Sequence, residues 1–128
     1  MMDKIKLFVG ELKLMELLWE HEGATAKELS LLAEENIGWN KNTTYTVIKK
    51  LVDKGVVERS EPGFVCRSLI AREKVGRDEA LEVARSFFGG SLKALFSSFM
   101  LDETLTRAEA EELRKLIDEQ GINEHGEE

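Results

Sequence analysis

The chain has one cysteine, one proline, one tyrosine and two histidines in 128 residues. It also has no apolar run near the roughly 20 residues a membrane-crossing helix needs. Each scarcity removes a class of protein. Cys66 alone cannot form an internal disulfide, and a lone thiol agrees with a reducing compartment. His21, Cys66 and His125 show no metal-ligand spacing to one another, so no metal is expected. Gly89-Gly-Ser91 lacks the lysine of a phosphate loop, and no nucleophile–base arrangement stands out. No cofactor and no enzyme activity are therefore expected. The stretch Met1 to Gly10 starts with charges but carries no long apolar region or small-residue cleavage site. A cytoplasmic protein without membrane insertion is the expectation.

Positive charge is scarce overall but not locally. The chain carries 18 Lys and Arg against 25 Asp and Glu, a net −7. Residues 1–72 hold 11 of each sign, whereas residues 73–128 hold 7 basic and 14 acidic side chains. Between residues 36 and 59, Lys41, Lys49, Lys50, Lys54 and Arg59 face only Asp53 and Glu58, a local +3. Local charge governs attraction to a polyanion, so a nucleic-acid partner stays open. With 42% apolar and 34% charged residues the composition is that of a soluble globular protein.

The stretch from Trp39 to Gly55 is the most informative. On a helical wheel Thr44, Val47, Ile48, Leu51 and Val52 gather on one side as a core stripe. Asn42, Thr46, Lys49 and Asp53 lie opposite, flanked by Tyr45 on one side and Thr43 and Lys50 on the other. Asn40 suits the N-cap and Gly55 the left-handed end. Short polar side chains near a helix N-terminus can reach base edges, and lysines further on can neutralise phosphates. An ordinary solvated helix face would look the same, so the neighbouring segments decide.

Leu12, Met15, Leu18 and Trp19 predict a first helix over residues 10–21, ended by His21-Glu-Gly23. Thr25-Ala-Lys-Glu28 is a capping-box pattern that opens a second helix with Ala26, Leu29, Leu32 and Ala33 inward. After Gly55, residues 56–60 and 64–70 are rich in β-branched and apolar residues, joined by Glu61-Pro62-Gly63, and read as a hairpin. Three helices and then a hairpin is the winged helix-turn-helix order. In that arrangement the third helix enters the major groove and the wing lies along the backbone. Asn40, Lys41, Asn42, Thr43, Tyr45, Thr46, Lys49 and Lys50 are then the candidate contacts of the helix. Arg59, Arg67 and Lys54 are candidate phosphate contacts nearer the wing.

From Ala71 onward the pattern is helical. Ala80, Val83, Ala84, Phe87 and Phe88 form one apolar stripe, and Gly89-Gly90 stops it. Ser91 can cap a helix carrying Leu92, Leu95, Phe96, Phe99 and Met100, and Thr106-Arg-Ala-Glu109 opens a last one with Leu113, Leu116 and Ile117. Such short helices bury these faces poorly alone, which predicts a homodimer. The expected fold class is mainly α, a winged helix-turn-helix DNA-binding domain followed by a helical dimerisation segment. Its expected parts are residues 1–71, residues 72–121 and a flexible tail, 122–128.

With these elements in place, the chain resembles the penicillinase-repressor (BlaI/MecI) family of winged-helix transcriptional repressors. The carriers are Glu11, Met15 and Leu18-Trp19, then Gly23 to Leu29, Trp39 to Thr43 with Thr46, and Leu51 to Gly55. Leu69-Ile70, Phe87 to Leu92 and the acidic run Glu109 to Arg114 continue the match. The resemblance implies a homodimer on a pseudo-palindromic operator in double-stranded DNA, controlling a β-lactam-resistance or related stress-response gene. It also implies release through a membrane sensor and a regulatory protease. The family's base-reading threonines fall on Thr43 and Thr46, and its mid-helix basic residue on Lys50. Where the wing usually ends in tyrosine and proline, Cys66-Arg67-Ser68 stands, with Arg67 as a substitute contact. The bond cleaved in the resistance repressors aligns with Ser98-Phe99, which departs from the family's Asn-Phe. The paired cysteine motifs of copper-responsive members are missing, so copper sensing is not expected.

Two alternatives stay open. A small-molecule-gated winged-helix regulator would place a pocket among Phe87, Phe88, Phe96 and Phe99. A winged-helix module could also bind protein rather than DNA.

Overall fold

A computed structural model of the chain describes residues 5–100 and 105–120. The expected tail over 122–128, with His125, lies outside the described residues. The elements run α1 (Val9–Glu20), α2 (Ala26–Asn36), α3 (Lys41–Asp53), β1 (Val57–Ser60), β2 (Val65–Ser68), α4 (Arg72–Phe87), α5 (Leu92–Met100) and α6 (Arg107–Glu119). The chain divides into two compact units, residues 1–79 and 80–128, with the division inside α4.

Local capping chemistry sets most helix boundaries of the first unit. Glu11 starts α1 by accepting the Phe8 amide at 2.8 Å. Thr25 and Glu28 cap α2 reciprocally, at 3.0 and 2.9 Å. Asn40 Oδ1 accepts the Thr43 amide at 2.8 Å and fixes the start of α3. Gly38 (φ 86°) and Gly55 (φ 80°) turn the chain out of α2 and α3 through the left-handed region. Leu14, Met15 and Leu18 of α1, Leu29 and Ala33 of α2, and Ile48 and Leu51 of α3 close the core. Val56, Val57 and Cys66 of the hairpin seal it from one side.

The hairpin is shorter than the sequence suggests. Its strands pair antiparallel with Val57 opposite Ser68 and Arg59 opposite Cys66. Phe64 adopts φ 54°, a left-handed backbone, so the second strand begins only after it. At the other end the Leu69 amide donates to the Val56 carbonyl at 2.8 Å, and the Ile70 carbonyl accepts Trp19 Nε1 at 3.0 Å. The hairpin is anchored along a third edge that the sequence does not announce. Thr25 bridges to Val65, and the Cys66 amide donates to the Ala24 carbonyl at 2.9 Å. This seats the wing against the N-terminus of α2, on the core that also carries α3.

In the second unit Ser91 Oγ accepts the Ala94 amide at 3.0 Å, and Thr106 and Glu109 form a capping box. Ala84 and Leu95 are buried. Val83, Phe87, Leu92, Phe96, Phe99, Met100, Leu113, Leu116 and Ile117 stay exposed, Phe87 at 78%. These side chains leave apolar surface on α4, α5 and α6 open to water in the single chain.

Candidate nucleic-acid interface

The outward face of α3 is built from its core stripe. Thr44, Ile48 and Leu51 are buried, so helical geometry turns Asn42, Thr43, Thr46, Lys49 and Lys50 to solvent. Thr44 fits the core despite its hydroxyl, which donates weakly to the Asn40 carbonyl at 3.4 Å. Among the described residues, the side chains of Asn42, Thr43 and Thr46 have no hydrogen-bond partner. Each therefore has its polar group free for an incoming base edge. Asn40 differs, because its amide oxygen is engaged in the cap.

The basic side chains divide into free and engaged. Lys49 Nζ lies 3.3 Å from Asp53 Oδ2, with both side chains largely in water. A pair so exposed is worth at most about 1 kcal/mol and yields readily to a phosphate. Lys41 sits 5.6 Å from the Tyr45 ring centroid. Lys54 is committed elsewhere, to Glu11 Oε1 at 2.6 Å and to the Lys6 carbonyl at 2.7 Å. Its ammonium also stacks 4.5 Å from the Phe8 ring centroid. The expected phosphate contact at Lys54 is thus a structural clamp between the end of α3 and the start of α1.

Arg59 and Arg67, both expected as wing contacts, lie on opposite faces of the hairpin. The register puts Arg59 with Val57 and Cys66, and Arg67 with Glu58 and Val65. Arg59 borders a small cleft of about 90 Å³ together with Ala26, Tyr45, Ile48 and Phe64. The Arg67 guanidinium lies against Gly23 instead, on the turn before α2. Burial pushes the Cys66 thiol above its ordinary value, and the Arg59 charge offsets this only in part. The thiol stays protonated at neutral pH, which removes it as a reactive group.

The penicillinase repressor family model matches residues 9–119. The chain belongs to the penicillinase repressor family. It is 22% identical over 115 residues to the penicillinase repressor of Bacillus licheniformis, covering 86% of this chain and 88% of that one. With the Staphylococcus aureus penicillinase repressor it shares 24% over 118 residues, covering 91% and 94%. With the methicillin resistance regulatory protein MecI of Mammaliicoccus sciuri it shares 24% over 110 residues, covering 84% and 89%. The solution structure of the DNA binding domain of the repressor BlaI superposes with a TM-score of 0.52 at 22% identity, over 58% of this chain and 93% of that one. That likeness establishes the winged-helix fold. Glu11 and Lys54, both among the residues that carry the family resemblance, are joined here by their ion pair.

The second unit holds an open apolar groove of about 410 Å³ between α5 and α6, lined by Phe96, Met100, Leu105, Ala110, Leu113 and Ile117 among others. Of the four phenylalanines expected around a ligand pocket, only Phe96 lines it. Ser98 Oγ donates to the Leu95 carbonyl at 2.6 Å, so the Ser98–Phe99 bond is part of helix α5. Leu95, expected in a dimer interface, is already buried in the single chain. Among the described residues no three His, Cys, Asp or Glu side chains could hold a metal ion, and no helix is long and apolar enough to cross a membrane.

Proposed function

We infer that this protein is a sequence-specific DNA-binding repressor that acts as a homodimer on a pseudo-palindromic operator. One observation carries the reading. The exposed face of α3 presents Asn42, Thr43 and Thr46 with free polar groups, followed by Lys49 and Lys50, on a winged-helix scaffold. Polar groups of this kind read base edges, and the lysines after them supply sequence-independent attraction to phosphate. The relatives' names, penicillinase repressor and methicillin resistance regulatory protein, point to control of a resistance or related stress-response gene.

The dimer rests on the exposed apolar side chains of α4, α5 and α6, which a second copy would cover with matching side chains. Two α3 helices then meet two half-sites. Release through a regulatory protease acting at Ser98–Phe99 would require α5 to open first, because a protease takes its substrate extended.

Replacing Thr43, Thr46 and Lys49 together by alanine tests the reading. Selective binding to operator DNA is expected to be lost while the fold is kept, since all three are exposed. Unchanged selective binding by the triple variant would remove α3 as the reading element. A finer outcome is expected for Thr46→Ala alone. It should relax the base preference at one operator position, by about 1–3 kcal/mol of discrimination. Selection over a randomised operator would show this; full preference retained at every position contradicts the role of Thr46.

A further inference from the structure

We propose that Phe64, at the tip of the wing, is a positioning residue that holds Arg59 for a backbone phosphate on the α3 side, and that Arg67 makes no such contact. The proposal rests on the DNA-binding reading above and assigns the wing's part in it.

Three observations converge. The Arg59 guanidinium lies 4.8 Å from the centroid of the Phe64 ring. A guanidinium stacked on an aromatic face keeps its N–H donors in plane and free at the edge, which is the geometry that grips a phosphate. Phe64 also holds a left-handed backbone (φ 54°) and is 45% exposed. That conformation is uncommon for a bulky residue, and an exposed ring gains little burial in exchange. The stacked arginine gives the exposed ring a task.

The cleft supplies the direction. Arg59 and Phe64 share it with Tyr45 of α3, and Lys41 is held over that same tyrosine. Arg59 in the cleft and Lys41 beside its Tyr45 wall gather positive charge near the N-terminal half of α3, where a strand running past the major groove would pass. Arg67 is on the other face of the hairpin, opposite Glu58 in the register and against Gly23. Its nearest cross-strand neighbour is an acidic side chain, which opposes a phosphate there.

The test uses the full chain and a duplex of about 30 base pairs of mixed sequence, titrated between about 50 and 200 mM salt. Arg59→Ala is expected to weaken binding about tenfold and to lower the salt slope by about 0.9, the loss of one phosphate contact. Phe64→Gly, which eases the left-handed backbone and so keeps the wing folded, should weaken binding about threefold. Phe64→Tyr should bind as the unaltered protein does. Phe64→Gly added to Arg59→Ala should cost nothing more, because the ring acts only through the arginine. Arg67→Ala should leave affinity and slope unchanged. The proposal is overturned by an Arg59→Ala variant with the original slope, by an Arg67→Ala variant that loses as much, or by an additive double variant. Absence of duplex binding by the unaltered protein would instead remove the DNA-binding reading itself, and the wing's role with it.

Discussion

Replacing Phe96 and Ile117 by glutamate is expected to turn the protein into a monomer and to weaken its operator binding about 100-fold. Both side chains line the open groove between α5 and α6 and are more than half exposed, at 53% and 54%. The change therefore costs the single chain little, because the new carboxylates remain in water. In a dimer the same positions would bury two charges per chain without partners, which association cannot tolerate. A monomer has one α3 and engages one half-site, so it forfeits the high effective concentration that linkage gives the second. Sedimentation and a DNA titration on the same sample check both halves. A monomeric variant with undiminished operator affinity would show that the apolar faces serve something other than pairing.

The second large effect concerns the clamp behind α3. Glu11→Ala is expected to destabilise the first unit by about 2 kcal/mol, read as a lowered denaturation midpoint. Glu11 is 5% exposed, accepts both Lys54 Nζ and the Phe8 amide, and would leave the Lys54 ammonium short of its partner. The pH dependence follows from the same contacts. Burial pushes the Glu11 carboxyl up, but the hydrogen bonds from Lys54 and Phe8 and the charges of Lys54 and Lys50 outweigh it. The folded carboxyl therefore sits below its ordinary value of 4.5. A group held lower in the folded state binds fewer protons there than in the unfolded chain, so its stabilisation is complete above the unfolded value. It is lost as pH falls through the folded one. Glu11→Gln should accordingly flatten the loss of stability in that acid window. An unchanged acid profile would show that the pair contributes nothing. Lys54→Met should likewise lower stability while leaving the salt slope of DNA binding unaltered, unlike a true phosphate contact.

Short-range chemistry was legible in the sequence and long-range pairing was not. Asn40, Thr25 with Glu28, and Thr106 with Glu109 act within one helical turn, so their caps could be read directly, and the structure places each where the pattern puts it. The stripe of Thr44, Ile48 and Leu51 followed from periodicity for the same reason. Lys54 reads as one more cation at the end of a basic helix, because its partner Glu11 lies 43 residues away. The bridge from Thr25 to Val65 and the left-handed Phe64 are equally invisible to periodicity. The faces of Arg59 and Arg67 depend on the hairpin register, and the residues at the turn fix that register rather than the arginines themselves. In the second unit the apolar spacing marked a surface, but could not separate Leu95, buried in the chain itself, from neighbours left exposed.

The central claim is that two copies of this chain read one operator through α3. It is tested most directly by titrating the protein into duplex DNA from upstream of its own coding sequence, beside a scrambled duplex, at two salt concentrations. Selective binding that weakens with salt and saturates at two chains per duplex is the predicted result. Equal, weak binding to both duplexes, or saturation at one chain per site, would contradict it.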